Sequence, residues 1–170
     1  MDEAEFDAFY AGSFRRLVGQ LHALIGDRVE AQDCVQEAFV RAWSHRRSLD
    51  AARSPESWVR TAAYRLAVSR WRRTARARRA PDRSLQDDRS TDGPTEDRVA
   101  LVEALRQLPE GQRRALVLHH LCDLSVQAVA DEIGVPEGTV KARLSRGRAR
   151  LQTLLGDEPS DGVTEGATRA

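Results

Sequence analysis

Apolar residues recur at the three- and four-residue spacing of a helix over most of the chain, and this pattern predicts two groups of helices. In the first group, Asp2 is the predicted N-cap of a helix that Gly26 ends. Asp27 and Glu30 have the spacing of a capping box and predict the start of a second helix. Ser54, followed by a proline, predicts the start of a third. We therefore expect three helices in the N-terminal part of the chain.

The apolar stripes of the second and third helices predict the core of this first domain. The second helix carries on one face Val35, Ala38, Phe39, Ala42 and Trp43. The third helix is expected to bury Val59, Ala62, Ala63, Leu66, Ala67 and Trp71. For Trp58 and Trp71, which lie at or near this stripe, a place in the core is expected rather than a role in binding.

The second group of helices follows a stretch without periodicity that ends at Gly93 and Pro94, which we interpret as a flexible linker. Helical spacing returns from Val99, breaks at Pro109, and continues through two short helices to about Leu155. The predicted fold is all-α, with no strand pattern. Its parts are a helical domain at 1–74, the linker at 75–95, a second helical domain at 96–155, and a disordered tail at 156–170.

The second domain contains the spacing of a helix-turn-helix motif. Ala130 is small where the two helices cross, Gly134 can adopt positive φ in the turn, and Val140 anchors the second helix. That second helix should direct outward Lys141, Ala142, Ser145, Arg146 and Ala149, with Arg143, Arg148 and Arg150 along its flanks. Such a face fits a major groove. The alternative is an ordinary helical hairpin with a solvated arginine face.

Charge supports a nucleic-acid partner only when it is counted by segment. The chain has a net charge of +1, but residues 51–83 carry 10 basic and 2 acidic groups, enough to hold a phosphate backbone. No apolar run approaches a membrane span and the acidic N-terminus is unlike a secretion signal, so we expect a soluble, cytoplasmic protein. Cys34 and Cys122 lack the spacing of a disulfide framework or a zinc ribbon and are predicted to be small buried residues.

Three segments together resemble extracytoplasmic-function (ECF) RNA polymerase sigma factors, most of all the sigma-E type of actinobacteria. The second helix, with Asp33, Gln36, Glu37, Phe39, Arg41, Ala42 and Trp43, is similar to the family's signature helix. Residues 58–73 resemble its promoter-melting segment, and residues 105–151 its upstream-element domain. The resemblance implies sigma regions 2 and 4, joined by the flexible linker. It also implies a protein without catalytic activity or cofactor that directs core polymerase to promoters and assists DNA melting.

The resemblance also implies which residues bind each partner. Core polymerase would be bound by Gln32, Asp33, Gln36, Glu37 and Arg41. The minus-ten element, as single strand, would be bound by Ser48, Asp50, Arg53, Arg60, Tyr64, Arg65, Arg70, Arg72 and Arg73. By the same resemblance, Tyr64 or Trp58 could stack an unpaired base, and Ser48, Asp50 and Arg53 could form a pocket for a flipped base. The minus-thirty-five element, as duplex, would be bound by Thr139, Lys141, Ala142, Arg143, Ser145, Arg146, Arg148 and Arg150. An anti-sigma factor is a further candidate partner, and no membrane insertion is expected.

Departures from the family pattern concern the promoter sequence rather than the function. Arg65 and Ser69 stand where many relatives have Asn and Asp, which leaves the preferred minus-ten bases open. Gln127 and Ala128 replace an acidic pair usual at the start of the motif's first helix. Without a capping-box Glu there, we expect a cost of about 1 kcal/mol in helix stability.

Two other functions have some support in the sequence. A metal site would start from His119, His120, Cys122 and Asp123, but adjacent helical histidines point about 100° apart, so one should lie at the core edge and the other at the surface. The second is a stand-alone helix-turn-helix regulator. It would need a dimer interface or a ligand pocket, and the sequence shows neither.

Overall fold

The computed structural model describes residues 1–47, 49, 54–77 and 95–156, and these residues contain helices and connecting turns but no strand. The helices are α1 (Glu3–Ile25), α2 (Arg28–Ser44), α3 (Pro55–Ala77), α4 (Glu96–Arg106), α5 (Glu110–Leu116), a π-helical turn (Val117–Leu121), α6 (Val126–Ile133) and α7 (Glu137–Gly156). The predicted all-α fold is confirmed. Most of the predicted linker and nearly all of the predicted tail lie outside the described residues.

The first domain consists of α1, α2 and α3 packed against one another. Asp2 and Glu5 form a reciprocal capping box at the start of α1. Asp27 caps α2 by accepting a bond from the Glu30 amide, as predicted, whereas the Glu30 side chain points instead to Cys34 and Arg70. The helix α3 continues to Ala77, three residues beyond the boundary expected from the sequence.

The core of the first domain follows the predicted apolar stripes, with one exception. The rings of Phe6 and Trp43 meet edge to face at 5.0 Å between centroids, and Phe39 joins the same aromatic cluster. Trp58 packs half-buried against this core, as expected. Trp71 does not: its side chain is 67% exposed, and the expectation that α3 buries it is wrong. The apolar spacing of α3 continues beyond the part of the helix that its neighbours cover, so Trp71 lies outside the core.

The second domain is built around the buried segment Leu116 to Leu118, against which α7 packs. The predicted break at Pro109 separates α4 from α5. No sequence signal announced the π-helical turn, which widens the backbone after α5 and is followed by Asp123 at a positive φ of 53°. This irregular corner turns the chain into the helix-turn-helix.

The two domains also pack on each other, so that their buried apolar residues form one continuous cluster. The helix α1 contacts α4 and the π-helical turn, and Gln20 donates to the Leu121 carbonyl at 3.5 Å. The side of α3 that faces away from α1 and α2 meets α5 and α6 through polar pairs. The arrangement therefore places the second domain directly over part of α3.

Candidate nucleic-acid and polymerase interfaces

The helix-turn-helix has the geometry that the three-residue spacing predicted. Ser125 caps α6 by accepting a bond from the Ala128 amide. Ala130 is buried at the helix crossing, and Gly134 ends α6 in the left-handed conformation at φ 72°, which a side chain would oppose. Val140 is fully buried. The motif predicted from sequence is therefore confirmed as structure.

The position of α7 depends on a close approach at Gly147. A Cβ atom built there would lie 2.7 Å from Leu116 Cδ1 and 3.4 Å from Gln112 Cβ. A larger side chain would require the buried Leu116 side chain to shift, which is costly because interiors are packed to crystal density. Val140 and Leu144 are buried on the same face as Gly147. This face fixes α7 and determines which side chains point outward.

The outer face of α7 is open and cationic. Its exposed side chains are Lys141, Ser145, Arg146, Arg148, Ala149 and Arg150, and its half-buried ones are Thr139, Ala142 and Arg143. Few of these charges are used internally: Lys141 lies 3.9 Å from the exposed Glu137, and Arg148 donates to His120 at 3.4 Å. An α-helix with such a face fits the width of a major groove.

The first half of α3, by contrast, is covered by the second domain. Arg60 forms a two-pronged ion pair with Glu132 of α6, with bonds of 3.0 and 2.7 Å, and Ser57 donates to the same carboxylate at 2.8 Å. The side chains of Arg60 and Glu132 are each only 5% exposed. Burial alone would lower the pKa of Arg60, but the bonds and charge of Glu132 raise it, so Arg60 stays charged.

Tyr64, one turn further along α3, is held by α5. Its hydroxyl donates to the Glu110 carboxylate, and the Arg114 guanidinium lies over its ring at 4.3 Å. Burial, followed by the bond to Glu110, raises the pKa of Tyr64 to about 12, so it remains a phenol. Of the residues predicted to meet the minus-ten element, Arg60 and Tyr64 can therefore reach DNA only if the two domains separate.

From Arg65 onward, α3 carries mostly open cations. Arg65, Arg72 and Arg73 are exposed. Arg70 is the exception, since its guanidinium bridges Glu37 at 2.6 Å and Glu30 at 3.3 Å on α2. Ser48, Asp50 and Arg53, predicted to form a pocket for a flipped base, lie outside the described residues. An open surface pocket lined by residues 44–47 lies at the C-terminal end of α2.

The polar face of α2 is exposed, as a binding surface requires. Gln32, Asp33, Gln36 and Arg41 are exposed, and Glu37 is half-buried between Arg70 and Arg41. The bonds from Arg70, and then from Arg41, lower the pKa of Glu37. This carboxylate is therefore charged at neutral pH, and both of its oxygens are held by arginines.

The histidine pair has the placement expected from helix geometry. His119 is half-buried and its Nδ1 lies 2.7 Å from the Leu124 carbonyl, while His120 is exposed. Across the parts of the chain that the structure describes, no three His, Cys, Asp or Glu side chains come together as a metal site. Cys34 is buried and Cys122 half-buried, and both are free thiols.

The sequence does not predict the surroundings of three side chains at these surfaces. Glu132 and Glu110 contact α3 across 72 and 46 residues of chain, and no local pattern predicts such pairs. Trp71 was assigned to the core because it continues the apolar period. A signal was nevertheless present: Arg70, Arg72 and Arg73 surround it in sequence, which is unusual for a buried tryptophan.

These features define a class of protein: a helical DNA-binding protein whose helix-turn-helix domain is joined to a second helical domain with exposed polar and cationic faces. Two family models match, Sigma-70 region 2 over residues 9–77 and Sigma-70, region 4 over residues 98–151. The chain is 34% identical to the ECF RNA polymerase sigma factor SigL of Mycobacterium tuberculosis, covering 78% of each chain. It is 30% identical to an RNA polymerase sigma-E factor of Streptomyces avermitilis, over 89% of this chain and 85% of the relative.

A solved structure agrees with these relatives. The sigma factor RpoE of Bartonella quintana, in complex with the anti-sigma factor NepR, is 25% identical with a TM-score of 0.77, covering 91% of this chain and 98% of that one. The chain belongs to the ECF RNA polymerase sigma factors. It acts in promoter-specific transcription initiation by binding core polymerase and promoter DNA. These matches favour a sigma factor over a stand-alone regulator. Within the described residues, no helix has both the length and the apolar character to span a membrane.

Proposed function

We propose that the chain divides its task among three helices. The polar face of α2 binds core polymerase, α3 holds the minus-ten element as single strand, and α7 reads the minus-thirty-five element in the major groove. The two domains are assigned to residues 1–74 and 96–155, joined at 75–95, with α3 of the first domain extending to Ala77. Polymerase supplies the chemistry, and the chain itself has no catalytic activity. It acts in the cytoplasm, where its partners are.

The outer face of α7 is the observation that carries this proposal. Lys141, Ser145 and Arg146 are exposed on a helix whose inner face is fixed by Gly147 and Val140. Guanidinium and ammonium groups can bind the O6 and N7 acceptors of guanine, and a contact of this kind distinguishes bases. The flanking Arg150 points along the side of the helix, where the phosphate backbone would lie.

A randomised upstream-element library, transcribed by core polymerase with each variant, tests this assignment. Lys141→Ala or Arg146→Ala should cost about 1 to 3 kcal/mol at the cognate element and relax preference at one or two adjacent positions. The matched variant Arg150→Ala should weaken all sequences alike and lower the salt slope by about one unit. If base preferences are unchanged for both Lys141→Ala and Arg146→Ala, then other residues read the promoter.

Polymerase binding is assigned to α2 because its polar face is exposed while its apolar face is committed to the core. Replacing Gln36 and Glu37 together with alanine should weaken capture of core polymerase while helicity stays unchanged. Glu37 also holds Arg70, so Arg70→Ala is the control that removes the internal pair but keeps the outer face. Wild-type capture by the double variant would remove α2 from the interface.

An anti-sigma partner is also proposed, on the likeness to RpoE, whose solved structure contains one. Such a partner should lower transcription from cognate promoters when added to the reconstituted system. It should have no effect on a polymerase supplied with an unrelated sigma factor.

A further inference from the structure

One face of α3 is only half covered by the second domain. Ser57, Arg60, Tyr64 and Trp71 follow one another at spacings of three, four and seven residues, which places them on the same side of the helix. The first three bind or pack against α5 and α6. Trp71 lies about 10 Å further along the axis, at a rise of about 1.5 Å per residue. The face therefore extends past the edge of the covering domain.

Trp71 is the most exposed of the large apolar side chains among the residues described, at 67%. No other ring among those residues stacks on it, and its neighbours on the helix face, Val68, Thr74 and Ala75, are too small to cover an indole. Tryptophan is strongly buried on average, so an open ring of this size indicates a surface that another molecule covers.

The surroundings of Trp71 indicate the chemistry of that molecule. Arg72 and Arg73 are exposed beside it, and α3 contains no carboxylate after Glu56. An apolar protein surface placed here would leave those guanidinium groups without partners. A single strand of nucleic acid suits the site better, because it offers a flat base for the ring and a phosphate for each arginine.

We propose that Trp71 is a stacking platform for an unpaired base of single-stranded DNA, with Arg72 and Arg73 binding the adjoining phosphates. This rests on the proposed role of α3 at the minus-ten element and names the residue that stacks. The other two aromatic rings of α3 are occupied: Trp58 packs on the core beside His45, and Arg114 lies over Tyr64. The Trp71 site is therefore open while the domains are packed together.

Binding of a mixed-sequence 10-nucleotide single strand to the whole chain at low salt tests the proposal. Trp71→Ala should weaken binding by about 5- to 150-fold, the range for one stacked base, and Trp71→Phe should keep most of the affinity. Val40→Ala is the matched control, since Val40 is 64% exposed on α2, and it should bind as wild type. Replacing Arg72 and Arg73 with alanine should lower the salt slope by about 1.4 units.

Tryptophan fluorescence reports on the ring itself. In the free chain, acrylamide should quench one strongly accessible component that is absent from Trp71→Phe, and the single strand should protect it. If wild type and Trp71→Phe are quenched alike, the ring is covered in solution and the proposal is overturned.

Transcription assays separate this proposal from the role of α3. Arg65→Ala should lose open complexes on duplex promoters but less on templates with a pre-melted bubble. Suppose that Arg65→Ala loses more open complexes on duplex than on pre-melted templates, while Trp71→Ala binds the single strand as wild type. Trp71 is then not the stacking residue, and the proposed role of α3 at the minus-ten element stands. If Arg65→Ala loses equally on both templates and the Arg72 and Arg73 variants bind normally, the role of α3 itself fails.

Discussion

The two basic helices α3 and α7 have similar composition but differ in how tightly their cations are bound by other protein groups. The cations on α7 face solvent, and the strongest internal contacts of Lys141 and Arg148 are long ones of 3.9 and 3.4 Å. On α3, Arg60 and Arg70 already hold carboxylates at 2.7 and 2.6 Å. A basic helix is therefore not by itself an open binding site. The outer face of α7 is accessible without rearrangement, whereas Arg60 and Tyr64 on α3 must exchange their protein partners before they can bind another molecule.

The largest test of this difference is Glu132→Ala, which leaves Arg60 without its buried partner. If the domains stayed together, the loss would be about 3 to 5 kcal/mol. Separation lets water reach Arg60 and limits the loss to the free energy of docking. We expect the domains to part, seen as a larger radius of gyration by small-angle X-ray scattering.

The control for that experiment is Glu103→Ala, which removes an exposed ion pair with Arg106 in the same domain and should change little. Exchanging the charges, with Arg60→Glu and Glu132→Arg in one chain, should restore part of the compact form. Unchanged dimensions for Glu132→Ala would mean that apolar packing alone holds the domains together.

A second test concerns how firmly the contact at Gly147 holds α7 against α5. Gly147→Ala places a methyl group 2.7 Å from Leu116 Cδ1, and overpacking of this kind costs about 1 to 3 kcal/mol. Denaturant unfolding should show the loss. Gly138→Ala, at a position with open space in the same helix, should be neutral or stabilising. Equal stability of the two variants would show that the contact between α5 and α7 yields easily.

The smallest effect expected is a pH dependence of stability that comes from the seam between α1 and α4 rather than from either basic helix. Burial, and then the charges of Arg28 and Arg98, lower the pKa of His22 below its usual 6.5. The unfolded chain therefore takes up a proton that the folded chain refuses, and stability should fall as pH drops below about 6.5. His120, whose pKa is also lowered by burial, adds to the slope.

Replacing His22 with glutamine should remove most of that slope. The carboxylate Glu37 has a lowered pKa and acts in a different window: its contribution is present above the ordinary carboxyl pKa of 4.5 and is lost as pH falls further. If the stability of the His22→Gln variant still falls between pH 7 and 5.5, other groups cause the effect.

Local signals in the sequence predicted the helices and the motif, because caps, breaks and the spacing of Ala130, Gly134 and Val140 act within one or two turns. They predicted where side chains of α7 point for the same reason. Local signals could not predict that the second domain covers part of α3, since Glu132 meets Arg60 across 72 residues. The misplacement of Trp71 has the same origin: a helical period tells which face a residue shares, but not where the neighbouring domain ends.

The buried ion pair between Arg60 and Glu132 also influences what fraction of the molecules have their two domains apart. Any ligand that needs Arg60 or Tyr64 binds only the fraction of molecules in which the domains are apart, and its apparent dissociation constant is the intrinsic one divided by that fraction. Because the domains belong to one chain, closing is unimolecular and does not weaken on dilution. A substitution that raises the open fraction tenfold therefore strengthens such binding tenfold without touching a single contact to the ligand.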